Sequence, residues 1–121
     1  MSCFFSVDGV DVWNPSNRVA RLFTGQAEVA ADVYGVGSGL GGIVDDECEV
    51  DREIFSQFID TLVAKHRESN NQVLRVLLEG VIPVGLVLLD RAGETMDGMD
   101  AEAIAYWRER RITLSRSMPP G

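Results

Sequence analysis

Two short β-prone runs open the chain, Cys3-Phe4-Phe5-Ser6-Val7 and Val10-Asp11-Val12-Trp13, with Asp8-Gly9 between them. Gly tolerates the positive φ of a two-residue hairpin turn, so the pattern predicts a β-hairpin over about residues 3–13. Two strands cannot bury a face by themselves, and this hairpin must pack on helices. Asn14-Pro15-Ser16-Asn17 then starts a helix. Either Asn14 is the cap with Pro15 at the first helical position, or Ser16 or Asn17 is the cap and Pro15 belongs to the turn. Val19, Leu22, Phe23, Ala27, Ala30, Val33 and Tyr34 follow at helical spacing, which predicts one apolar stripe on a helix over about residues 15–34. Gly25 weakens its interior by about 1 kcal/mol against Ala.

Gly35 to Gly42 reads as a flexible glycine-rich loop, and Asp45 to Glu49 as an acidic approach to the next helix. That helix, about residues 51–67, has Asp51 or a close neighbour as its cap and a regular stripe of Ile54, Phe55, Phe58, Ile59, Leu62 and Val63. Glu53 in its first turn and Lys65, His66 and Arg67 in its last complement the helix dipole. From Val73 to Leu89 nearly every position is apolar, which predicts a buried central helix over about residues 72–90, kinked or divided near Gly80–Pro83 because Pro83 cannot donate to the preceding turn. Two charges and a central Pro make that stretch a poor membrane span. Arg75 and Glu79, four apart, can pair along it. Ala92–Met99 reads as a loop, Asp100 caps a last helix to about residue 116, and Met118-Pro119-Pro120-Gly121 reads as a frayed tail. The expected fold is mainly α with a small N-terminal β-hairpin, an α+β domain over residues 1–121 in which the hairpin packs on a bundle of about four helices.

The net charge of −8 changes the functional picture more than the fold. Residues 1–100 hold seven basic and seventeen acidic side chains, while the last twenty-one residues hold four Arg and two Glu. A body this acidic disfavours nucleic acid and anionic membranes, and suits a protein partner, a basic one by charge complementarity. Cys3 and Cys48 make no disulfide framework, and no basic stretch with a cleavage site precedes Cys3, so a reduced, cytoplasmic setting is expected.

Candidate chemistry is sparse. Gly37-Ser38-Gly39-Leu40-Gly41-Gly42 fits G-x-G-x-x-G, but a helix precedes it and carboxylates follow, the wrong setting for a phosphate. Counted from Asp45 as an EF-hand loop, the sixth position is Val50 and the twelfth Ser56, not Gly and Glu, so no calcium loop is expected. One histidine excludes a multi-His metal site, and no cofactor or metal is expected. Asp45, Asp46, Glu47 and Glu49 remain as a solvated acidic face or a partner surface. Trp13, Asn14, Ser16 and Asn17 form a polar corner able to line a ligand pocket or to be consumed in capping. Glu79 interrupts the most apolar stretch, and paired with His66 it is the weak catalytic candidate.

Trp13-Asn14-Pro15-Ser16-Asn17 with Ala20-Arg21-Leu22-Phe23, then Gly37-Ser38-Gly39, Asp46–Asp51 and Lys65-His66-Arg67, resemble a family of small uncharacterised actinobacterial, Streptomyces-type proteins over about residues 10–90. Gly41-Gly42 departs from it, standing where a Pro-containing turn is expected. The resemblance implies a bacterial intracellular setting and no mechanism. Two functions are therefore expected. The first is a binding or accessory protein acting through protein–protein contact, as an immunity-type neutraliser or a pathway subunit. The alternative is a small-molecule-binding domain or cofactor-free enzyme with a Glu79/His66 pocket under the hairpin and Trp13 as its wall. A homodimer through part of Val73–Leu89 is a further possibility.

Overall fold

Phe4–Val7 (β1) and Val10–Trp13 (β2) pair antiparallel in a computed structural model of the chain, which describes residues 2–94 and 100–120. Asp8 and Gly9 both take positive φ, as the tight turn requires. The register shifts between Phe5↔Trp13 and Ser6↔Asp11, a bulge that lets the consecutive residues Val12 and Trp13 both be buried.

A third strand, Glu47–Val50 (β3), lies parallel to β1 and gives the order β2-β1-β3. The acidic approach is thus a strand. Cys48 and Val50 turn inward while Glu47 and Glu49 face water, the alternation of a half-buried strand. The glycine loop before it is held rather than free. Ser38 is buried, Gly39 accepts from Asp51 N at 2.8 Å, and Gly41 N donates to Glu49 at 2.8 Å. Gly39 has φ +79°, and a Cβ there would stand 2.4 Å from the Phe55 nitrogen, so only glycine fits.

Five helices among the described residues complete the α+β fold. Asn17–Tyr34 (α1) is capped by Ser16, whose hydroxyl accepts from Val19 N at 3.3 Å, and Pro15 stays in the turn. Arg52–Glu68 (α2) is capped by Asp51. The apolar stretch divides into Gln72–Leu78 (α3) and Ile82–Arg91 (α4), with Pro83 in the first turn of α4 where its missing N–H costs nothing. Only α4 is central. Ile82, Leu86, Leu88 and Leu89 are buried, and Gly85 admits the Ile59 side chain so closely that a Cβ would lie 2.4 Å from it. Gln72–Arg91 is long and apolar enough by composition to cross a membrane, yet it is broken between α3 and α4 and half of its apolar window is buried in the fold.

Asp100 caps the last helix, Ala101–Ser115 (α5), by accepting from Ala103 N at 2.8 Å. The expected loop to Met99 lies, from residue 95 on, outside the described residues. The tail does not fray at Met118, which is buried. Arg91 donates to its carbonyl at 2.7 Å, and Asn14 N donates to Pro119 O at 2.8 Å.

One correction bears on function. The stripe expected on α1 is two faces, not one. Ala20, Phe23, Ala27 and Ala31 are the buried set, while Val19, Leu22 and Val33 point outward with Val29. Small alanines let α1 lie close to the core, and the larger aliphatics face solvent. Similarly, α3 buries Leu78 but exposes Val73, Val76 and Leu77, so the first half of the expected core helix is a surface element.

Candidate functional site

His66 is drawn inside by the last turn of α2, where it is 2 % exposed rather than a solvated cation ending a helix. Its Nε2 faces Glu79 Oε2 at 3.0 Å, across the junction of α3 and α4. An ionised carboxylate only accepts, so Nε2 carries the hydrogen. The other Glu79 oxygen forms an ion pair with the Arg110 guanidinium of α5, 3.1 Å away. The side chain of Glu79 is 23 % exposed, so the pair is neither sealed nor open. Arg75, expected beside Glu79, instead donates to the His66 and Ser69 carbonyls that end α2. Arg110 also lies over Tyr106, 4.8 Å from the ring centroid, and Trp107 sits 4.8 Å from the His66 ring.

Beside this network is a cavity of about 240 Å³ whose walls include His66, Arg67, Arg75, Tyr106 and Trp107. It opens between α2, α3 and α5, not under the hairpin. Trp13 is no part of it, being packed against Phe5 and Phe23 with centroids 4.9 and 5.5 Å away. Chemically, Glu79 orients the imidazole through Nε2 and leaves Nδ1 as its second polar atom. The aromatic walls belong to α5, whose apolar residues are spread too irregularly along the sequence for Tyr106 and Trp107 to stand out as a pair.

The other candidates are consumed structurally. At the corner, Ser16 caps α1 and Asn14 N holds the tail, while Asn14 Oδ1 is buried without a partner among the described residues. Asn17 is the first residue of α1. Asp45 and Asp46 both have positive φ in a tight turn, closed by Val44 and Glu47 exchanging backbone hydrogen bonds at 2.9 and 3.0 Å. With Glu47 and Glu49 they place carboxylates along an edge strand, a position where charge discourages pairing with other sheets. Among the described residues no group of three His, Cys, Asp or Glu side chains converges to hold a metal ion. Cys3 and Cys48 are buried free thiols. Burial first, and then Cys3 and Glu28, push Cys48 up to about 12, far from a reactive thiolate.

What sequence pattern did not single out is a surface. Leu22, Val29 and Val33 of α1 and Val73, Val76 and Leu77 of α3 are each 64–68 % exposed. Those of α1 lie on one helical face with Gln26, those of α3 on an exposed face of that helix, and the two elements approach where Gln26 Oε1 lies 3.1 Å from the place of a Gly80 Cβ, just past α3. Scattered single aliphatics are ordinary on a surface, but two exposed apolar stripes are not.

No curated protein and no solved structure matches this chain. A family model described as "Family of unknown function (DUF6086)" matches residues 1–120, and the chain belongs to that family.

Proposed function

We propose that this chain works by binding another polypeptide through the apolar face shared by α1 and α3. The observation that carries the reading is the exposure of Leu22, Val29, Val33, Val73, Val76 and Leu77 to water. Aliphatic side chains left exposed at this density favour burial against a partner, at about 25 cal/mol per Å² removed from water. An accessory subunit suits such a face better than a neutraliser of a basic toxin, which would present carboxylates at its contact. The two buried thiols and the residue-level likeness to actinobacterial proteins support a bacterial cytoplasmic setting for this role.

The test is a photo-cross-linking amino acid placed at Val29 or Leu77, in the cells the gene comes from. A discrete adduct of higher mass is expected from both positions, and none from an exposed site elsewhere such as Ile112. The absence of any adduct from either position contradicts the reading.

A second reading rests on the cavity beside His66. Two guanidinium groups and two aromatic rings among its walls fit a small flat anion, with His66 as a base held by Glu79. It ranks second on size, because about 240 Å³ falls short of the roughly 300 Å³ where small-molecule sites begin. Benzoate should quench Trp107 fluorescence in a Trp13→Phe background, saturably and not after Arg75→Ala. A flat titration removes this reading.

A further inference from the structure

The charges beside the apolar stripe of α1 are arranged along its length by sign. Arg18 and Arg21 stand on the N-terminal half, and Glu28 and Asp32 on the C-terminal half, all four exposed. At 3.6 residues per turn they form a row along one edge of the stripe of Val19, Leu22, Gln26, Val29 and Val33. Arg21 and Glu28 border a groove with the loop residues Leu40–Ile43, but no ion pair within one copy fixes the order of signs among the described residues. Ser38 occupies one oxygen of Glu28, and Arg18, Arg21 and Asp32 have no ion-pair partner among the described residues.

We infer that the partner of this face is a second copy of the same chain, with the two α1 helices antiparallel about a two-fold axis near Gly25. The inference rests on the contact-face reading above and names its occupant. A two-fold interface must be self-complementary, each patch meeting its own counterpart reversed. Reversal about Gly25 sets Arg18 opposite Asp32 of the second copy and brings Arg21 and Leu22 within one position of Glu28 and Val29. Val19 and Val33 then fall within two positions of each other, so the apolar and the charged rows come into register together. Gly25, where an added Cβ would meet nothing within 4 Å, lies beside the crossing point and lets two helices approach closely. Six aliphatic side chains exposed by about two-thirds present on the order of 600 Å² per copy, the scale of the roughly 800 Å² per partner in a stable interface. An unrelated helix would match the apolar stripe but has no reason to match the order of charges.

Sedimentation of the purified full chain tests this with two charge-row variants, Arg18→Glu/Arg21→Glu and Glu28→Lys/Asp32→Lys. The wild type is expected to be a dimer at about 100 µM, and each variant alone to self-associate at least about tenfold more weakly at low salt. An equimolar mixture of the two variants should restore a dimer at wild-type affinity, because each row then meets its opposite. Leu22→Asp/Val29→Asp, at exposed positions that leave the core intact, should be monomeric and should melt where the wild type melts at dilutions that dissociate it. A monomeric wild type overturns the inference, as does a dimer indifferent to both the charge rows and the Asp pair. The cross-linking separates the two claims. An adduct of twice the chain mass agrees with a second copy, an adduct of another mass leaves the contact face standing without it, and no adduct removes both.

Discussion

Arg91 sends its guanidinium to the carbonyls of Val12 at 2.8 Å, Ser115 at 3.1 Å and Met118 at 2.7 Å, joining β2, α5 and the tail at one point. Charged donors to backbone acceptors are the stronger hydrogen bonds, and removing them leaves partly buried carbonyls unpaired. Arg91→Ala should cost about 3 kcal/mol in urea unfolding, and Arg91→Lys should recover only part, because an ammonium cannot span three carbonyls. An effect below about 1 kcal/mol would show that the tail is held otherwise. The glycines divide just as sharply. Gly39→Ala meets the Phe55 backbone at a positive φ and should cost about 3 kcal/mol or more. Gly25→Ala meets nothing within 4 Å and should stabilise the isolated protomer by up to about 1 kcal/mol through helix propensity. Glu79→Ala removes the acceptor of buried His66 and the anchor of Arg110, for which about 2 kcal/mol is expected. A cycle with Arg110→Ala should show coupling between the two positions. Additivity would mean that the geometry contributes nothing.

At the scale of elements, acid titration should act on α5. The amide of Ala103, and then the Arg67 guanidinium, hold Asp100 below the usual carboxylate range. A depressed folded-state value means that its contribution is present above the unfolded value of about 3.9 and is lost as pH falls through the folded one. Asp100→Asn keeps a capping oxygen but not the charge, so stability near pH 7 should fall modestly and the further loss below about pH 4 should become shallower. Asp60 runs the other way. Burial and then Glu94 raise it, so Asp60→Asn should raise the melting temperature at pH 7, and the gain should vanish as the pH falls below that raised value. Much of this element plan was legible in sequence. Asp8-Gly9 marked the hairpin, Asp51 and Asp100 marked two caps, and Pro83 marked the division of α3 from α4. The strand at Glu47–Val50 was also legible in its strict alternation, but four carboxylates in five residues looked like a loop. The Phe23/Ala27 face of α1 was missed because its alanines are weakly apolar, whereas the exposed Val and Leu are strongly so. Periodicity reports which residues share a face and not which face turns inward. The site was half legible. The pairing of Glu79 with His66 was within reach of the chain order, while the α5 aromatics beside them depend on packing alone.

For the whole molecule, the acidic surplus includes the exposed edge at Asp45–Glu49 and carboxylates held in ion pairs such as Asp100 with Arg67, and the exposed aliphatics of α1 and α3 stand apart from both. The core is complete without them, since Phe55, Phe58, Ile59, Ile82 and Leu88 are already fully buried. The outward aliphatics therefore do not serve the fold of one chain, and the account stands on whether they meet water in the working protein. Hydroxyl-radical footprinting in cells, read by mass spectrometry, measures this directly. In the isolated chain Val29 and Leu77 are 65 % and 67 % exposed, and Val10 and Val44, outside both helices, are 62 % and 67 % exposed. The account predicts that Leu22, Val29, Val76 and Leu77 are oxidised several-fold more slowly than Val10 and Val44. Equal oxidation at all of these positions would contradict it.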